Sequence, residues 1–188
     1  MMSEAEPGWV DEVLRFWFED LSAVDWFNGG AALDARIGER FLLMHEALAA
    51  NGGEALRHVH GPRASLAAVV VLDQFSRHLF RQDPRAYAND TLARRLAAAA
   101  IEQGWDREMT REQRLFLYLP FEHSECLSDQ DRALELVEAL GDENWTNYSR
   151  AHQRLIERFG RFPHRNEVLG RESTVDELEA LKGPMGSF

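Results

Sequence analysis

Apolar residues recur along this chain every three to four positions, the period of an amphipathic helix, and no strand-like alternation lasts more than a few residues. Trp9, Val13, Phe16 and Trp17, with Asp20 in the same rhythm, predict a first helix with an aromatic face. Leu33, Ile37, Phe41, Met44 and Leu48 make one stripe of a second, and Asn51-Gly52-Gly53 supplies residues that accept the left-handed conformation of a helix stop. Pro62 suits the first turn of the next helix, which is apolar on every side from Leu66 to Leu72 and is expected to be the buried central one. Asp90 is placed to cap a helix through Leu92, Leu96 and Ile101. Thr110 with Gln113 forms a capping box for a second all-apolar segment, Leu115 to Leu119, which Pro120 is expected to kink or end. Ser128 is placed to cap a helix through Leu134, Val137 and Leu140, closed by Gly141. Trp145, Tyr148, His152, Leu155, Ile156 and Phe159 form the face of another that stops at Gly160, and Thr174 with Glu177 boxes a last short helix before Gly183-Pro184.

The pattern predicts an all-α chain, one domain over residues 1–188 with about eight or nine helices and loose tails at 1–7 and 183–188. No internal repeat or low-complexity linker interrupts it. A domain of this length buries roughly 70% of its unfolded surface and needs no covalent staple. With Cys126 as its single cysteine it has no intrachain disulfide, and that residue reads as a small buried hydrophobe rather than a nucleophile. The start, Met1 to Pro7, is acidic where a secretory signal is basic and then apolar, and no apolar run approaches the roughly 20 residues that span a bilayer. A cytoplasmic protein is expected. Trp9 and Trp26 are expected to pack into the core rather than to mark a dimer interface, and the oligomeric state stays open.

Charge sharpens the picture. The net charge of −11 argues against nucleic acid and against an anionic membrane as partners, since both need a dominant basic face. Glu102 to Glu143 holds twelve acids against four arginines, whereas Arg150 to Arg171 holds six arginines against Glu157 and Glu167. The two segments are expected to meet. Twenty of the 21 cations are arginines, planar forks that suit carboxylates and phosphates.

Three stretches place polar residues where the pattern wants apolar ones. Asp73-Gln74-Phe75-Ser76-Arg77-His78 follows the all-apolar helix, and Asp73 and Arg77 are spaced for an intrahelical ion pair. In Pro120-Phe121-Glu122-His123-Ser124-Glu125 two carboxylates one turn apart flank an imidazole beside a buried segment; they read either as acid and base or as receivers for the arginines. His152 lies in the apolar stripe of its helix. Arg158 to Arg171 then presents Arg158, Arg161, His164, Arg165, Asn166 and Arg171 around a loop anchored by Phe162 and stiffened by Pro163.

These stretches carry a resemblance. Leu72-Asp73-Gln74-Phe75-Ser76-Arg77, Leu119-Pro120-Phe121-Glu122-His123-Ser124-Glu125 and Phe159-Gly160-Arg161-Phe162-Pro163-His164-Arg165-Asn166 with Leu169-Gly170-Arg171 resemble the bacterial family catalogued as domain of unknown function nine-two-four. Val13 to Phe18 and Trp26-Phe27 match it too. The resemblance implies a tetratricopeptide-like array of antiparallel helix pairs, and it implies no activity, substrate or cofactor. The family usually has proline and asparagine where this chain has Ser76 and His78, which sets His78 below the other candidates.

Three readings follow. In the first, a binding module, Asp73, Gln74, Arg77, His152, Arg158, Arg161, Arg165, Asn166 and Arg171 hold a small anionic metabolite or a peptide terminus. In the second, a hydrolase, Glu122 or Glu125 is the base, His123 or His164 the acid, and the arginines stabilise charge. In the third the charges pair internally and the surface binds another protein. The spacing of Glu122, His123 and Glu125 matches no metal motif, so neither metal nor cofactor is expected.

Overall fold

The periodicity translates into helices throughout. In the computed structural model, which describes residues 6–183, every regular element among the described residues is helical. The expected loose ends at 1–5 and 184–188, and Pro184 as a helix stop, lie outside the described residues. Counting Pro62–Leu79 as one run, nine helices are present among the described residues, none long and apolar enough to cross a membrane. The chain forms two compact units: Met1–Arg81 with Arg85–Leu117, and Gln82–Pro84 with Tyr118–Phe188.

Unit 1 holds α1 (Gly8–Phe18), α2 (Ala23–Asn28), α3 (Ala31–Gly53), α4 (Pro62–Val69), α5 (Ser76–Leu79), α6 (Asp90–Glu102) and the start of α7 (Arg111–Glu122). Its core is an aromatic stack: Phe16 meets Phe41 at 5.0 Å between centroids, Phe41 meets Phe75 at 4.7 Å, and Trp17 meets Phe75 and Phe116 edge-on. Such tilted pairs add about 1 kcal/mol each beyond the area they bury. Trp26 joins it, its indole N–H donating to the Trp17 carbonyl at 2.7 Å. The regular part of α3 ends as the sequence predicts, with Asn51 and Gly52 both left-handed.

Three details of unit 1 differ from the pattern. Met44 is only half-buried, and His45 takes the inward place of the α3 stripe because Ser76 offers it a hydrogen bond. In α6 the fully buried positions are Ala93, Ala97 and Ala100, while Leu92, Leu96 and Ile101 lie at the edges; the small side chains let α6 come close to α4. Asp90 does not cap α6: Asn89 stands at the N-cap position, with no capping bond from its side chain, and Asp90 accepts the Arg77 fork at 3.0 and 3.1 Å.

The all-apolar run from Leu66 to Leu72 is buried as expected, but between Val70 and Phe75 the helix widens to a π-helix before α5 resumes. Two of its carbonyls receive side chains from four residues on. The Ser76 hydroxyl donates to Leu72 O at 2.6 Å, and Arg77 donates to Asp73 O at 2.7 Å. Because the Ser76 proton is spent on Leu72, the oxygen accepts from His45 Nε2–H at 2.7 Å. Nδ1 of His45 is then a buried lone pair with no hydrogen-bond partner.

Unit 2 holds the end of α7, then α8 (Leu127–Glu138), α9 (Glu143–Phe159) and α10 (Val175–Leu181). Arg150 reaches Glu138 and Gln153 reaches Asp131, so α8 and α9 run antiparallel. The helix does not end at Pro120; α7 continues to Glu122. Cys126, not Ser128, precedes the first turn of α8, because its carbonyl already accepts the N–H of Asp129 and Gln130. Cys126 is exposed rather than buried, its thiol lowered from its usual value by the Ser128 hydroxyl. Tyr148 leaves the α9 stripe for solvent, while Asp142 caps that helix and left-handed Gly160 ends it. Thr174 and Glu177 make the predicted capping box of α10.

Burial pushes the His45 imidazole down to about 4. The unfolded chain takes up this proton near pH 6.5 and the native state does not, so stability falls as pH drops from about 6.5 to about 4, by about 3 kcal/mol from this residue alone. Urea unfolding at pH 7 and pH 4.5 checks it: His45→Leu is expected to lose markedly less stability on acidification than the wild type.

Candidate functional site

The polar residues of the second and third stretches meet within unit 2. Gln130, fully buried in α8, donates through Nε2 to the carbonyls of Glu122 at 2.6 Å and Ser124 at 2.7 Å. It thereby holds the turn that displays Glu122, His123 and Glu125. The Ser124 hydroxyl donates to Asp129 at 2.6 Å and accepts the Cys126 N–H, which closes the turn onto α8.

The loop after α9 docks on this turn through Glu125. Its Oε1 accepts the Phe162 backbone N–H at 2.8 Å, and its two oxygens take the Arg171 fork at 2.7 and 2.9 Å. Arg171 also donates to Phe162 O and, through Nε, to Asn166 Oδ1 at 2.9 Å. Asn166, fully buried, passes the chain on through Nδ2 to Ser173 and to Glu177 at 3.3 Å. Glu177 takes the Arg161 fork at 2.6 and 2.9 Å. One hydrogen-bond path thus runs from Glu125 through Arg171, Asn166 and Glu177 to Arg161. Burial opposes ionisation of Glu125, but the Arg171 fork and the Phe162 N–H outweigh it and hold its carboxyl below the usual range. The Arg161 fork pushes Glu177 down to about 2.

Phe162, fully buried, is the platform on which the other group assembles. The His152 ring meets it edge-on at 5.6 Å between centroids, the His164 ring lies at 5.5 Å, and the Arg165 guanidinium sits over its face at 4.5 Å. His123 faces His152 at 6.4 Å. His152 Nδ1 is 2.9 Å from Tyr148 O and 3.4 Å from Glu122 Oε1, and the side chains of His152 and Glu122 are 12% and 6% exposed. Burial, above all, pushes the His152 imidazole down to about 3, against the Tyr148 carbonyl; His123, His164 and Arg165 add to the fall.

Of the predicted residues, Glu122, His123, His152, His164 and Arg165 gather at Phe162, and Glu125, Asn166 and Arg171 build the clamp that holds the loop. Arg161 pairs with Glu177 rather than with Glu122 or Glu125. Arg158, exposed and stacked on Phe159 at 4.7 Å, lines an open groove with Arg161, Thr174, Asp176 and Glu177. Asp73, Gln74 and Arg77 form a network of their own in unit 1, where Arg77 bridges buried Asp73 and Asp90 and Gln74 donates to Asp73 at 2.6 Å. His78, also in unit 1, is bound to Asp34 at 2.7 Å.

A family model described as bacterial protein of unknown function (DUF924) matches residues 13–185. The chain belongs to that family. It is also similar to the solved structure of a protein of unknown function from Agrobacterium tumefaciens, 38% identical, covering 93% of this chain and 98% of that one with a TM-score of 0.86. No curated protein matches.

In this family member, sequence reasoning missed His45, Gln130 and the second task of Glu177. The α8 stripe of Gln130, Ala133, Val137 and Leu140 held the signal for Gln130, a polar residue in an inward register. Glu177 was legible only as a cap; its pairing with Arg161 is long-range and leaves no mark in local spacing. Among the described residues, no group of three or more His, Cys, Asp or Glu side chains could hold a metal ion.

Breaking the clamp should loosen the loop. Arg171→Ala leaves a half-buried Glu125 carboxylate unpaired and is expected to cost about 2 kcal/mol, and Glu125→Gln a similar amount. A double-mutant cycle by thermal melting should find the two strongly non-additive. The Glu125 contribution is present above the ordinary carboxylate range and is lost as pH falls through its lowered value.

Proposed function

We propose that this protein is a binding module whose second unit holds a small anion, a metabolite or a peptide terminus, against His123, His152, His164 and Arg165. One observation carries the reading: a mostly buried imidazole is kept neutral while two further imidazoles and a guanidinium crowd it. Imidazole N–H groups and a guanidinium are donors of the kind that receive an anion, and the Glu125 clamp presents them in fixed directions. Arg158 lines the open groove beside the Arg161–Glu177 pair and Asp176, a mixed margin of the same unit. A cytoplasmic location, with neither nucleic acid nor membrane as partner, belongs to the same reading, as does the assignment of residues 1–188 to one domain.

A hydrolase is the second reading, favoured by the contact of Glu122 with His152. Glu122 would act as base and His123 or His164 as acid, leaving Glu125, with both oxygens engaged, as a positioning residue.

A thermal-shift screen of carboxylated and phosphorylated compounds tests the binding reading. Ligand at about a hundred times its Kd adds about 2.7 kcal/mol, which raises the melting temperature by roughly 5 to 10 °C. Arg165→Gln is expected to abolish the shift. A broad panel without any shift would refute the reading.

A further inference from the structure

The open groove where the end of α9 meets the start of α10 holds about 440 Å³, in the range of small-molecule sites, and lies within unit 2. Its lining residues differ in what each has left to offer. Glu177 has nothing: one oxygen accepts from Arg161 Nε at 2.6 Å, and the other accepts from Arg161 Nη2, from Asn166 and from the Thr174 backbone N–H. Arg161 spends Nε and Nη2 on Glu177 and on the Glu172 carbonyl. Those bonds fix its plane and leave the two N–H groups of Nη1 without an acceptor among the described residues. The Thr174 hydroxyl accepts the Glu177 N–H and keeps its own proton to donate. Arg158 and Asp176 have the most to give. The Arg158 guanidinium sits over the Phe159 ring at 4.7 Å, and none of its five N–H donors meets an acceptor among the described residues. Asp176 is exposed, and no described residue donates to its carboxylate or pairs with it.

The groove therefore presents uncommitted donors on two arginines and a hydroxyl, and one uncommitted carboxylate. Its charges balance, two arginines against two acids. A simple anion gains Arg158 but meets Asp176, and a simple cation gains Asp176 but meets two guanidinium groups. A molecule that carries both signs is received at both ends. We propose that the groove binds a small zwitterion, an amino acid or a similar compound of carboxylate and ammonium, with the carboxylate on Arg158 and Arg161 Nη1 and the ammonium on Asp176. This is a second site and uses no residue of the His152 cluster. Selectivity comes from the like charge that a ligand of one sign is forced to face. One exposed ion pair is weak, but two on one small molecule reinforce each other, because the first contact holds the second group in place.

NMR titration of the nitrogen-15-labelled full chain at pH 7 and low salt tests it, with acetate, ethylammonium, glycine, 4-aminobutyrate and 6-aminohexanoate. The last three carry both charges at increasing separation. The tightest of them is expected to bind about threefold or more tighter than acetate and ethylammonium, the worth of one further exposed ion pair, and to weaken as salt is added. The amide signals that move should be those of residues 158–161 and 174–177. Arg158→Gln and Asp176→Asn, both at exposed side chains, are each expected to remove the advantage. Asp176→Asn should also leave acetate binding as tight as before or tighter, which damage to the fold would not do. An advantage that survives Asp176→Asn, or a zwitterion no tighter than acetate, overturns the inference. So does a response confined to the signals of His152 and Arg165, which places the ligand at the other cluster. Absence of binding by all five overturns it too.

Discussion

Glu125 has no oxygen to spare, and the rest of the candidate site follows from that. A half-buried carboxylate is stable only if it is well paired, and it is paired here to the backbone N–H of Phe162 and to both arms of Arg171. Those two partners lie at opposite ends of a loop. Binding both to one carboxylate closes the loop over a buried phenyl ring and fixes where His164 and Arg165 stand. Asn166, joined to both Arg171 and Glu177, locks the interior of the loop, so its shape does not depend on a single contact.

Unit 1 solves a related problem in another way. Its central helix is buried on every side, so polar groups there have no water to turn to. Where the π-segment disturbs the helical ladder, Ser76 and Arg77 supply donors to the carbonyls four residues back. Arg77 then pairs with both Asp73 and Asp90. The outcome is a tied network rather than an open set of charges, which is why the functional reading rests on the other unit.

Local rules carried far into the fold. Left-handed Asn51 and Gly52, left-handed Gly160, the Thr110 and Thr174 boxes and the buried run from Leu66 to Leu72 all follow from short-range sequence physics. Where the reading slipped, long-range contacts were the cause. Asp90 looks like a cap until Arg77 claims it, and His45 looks polar enough for the surface until Ser76 meets it. At the site, polar residues in apolar registers marked the correct stretches, because charges beside buried segments must converge. Which arginine meets which carboxylate was not legible: Arg161 and Arg171 carry the same signal in sequence, and only the path of the loop sends one to Glu177 and the other to Glu125.

The account turns on His152 as a neutral ring, hydrogen on Nδ1, held beside Glu122 among His123, His164 and Arg165. Nitrogen-15 NMR of the histidine side chains across pH 4.5 to 8 reads tautomer and charge at once. The account predicts that in the ligand-free protein His152 stays neutral to the bottom of that range, with its proton on Nδ1. A ring that titrates near pH 6.5, or that carries its proton on Nε2, contradicts it.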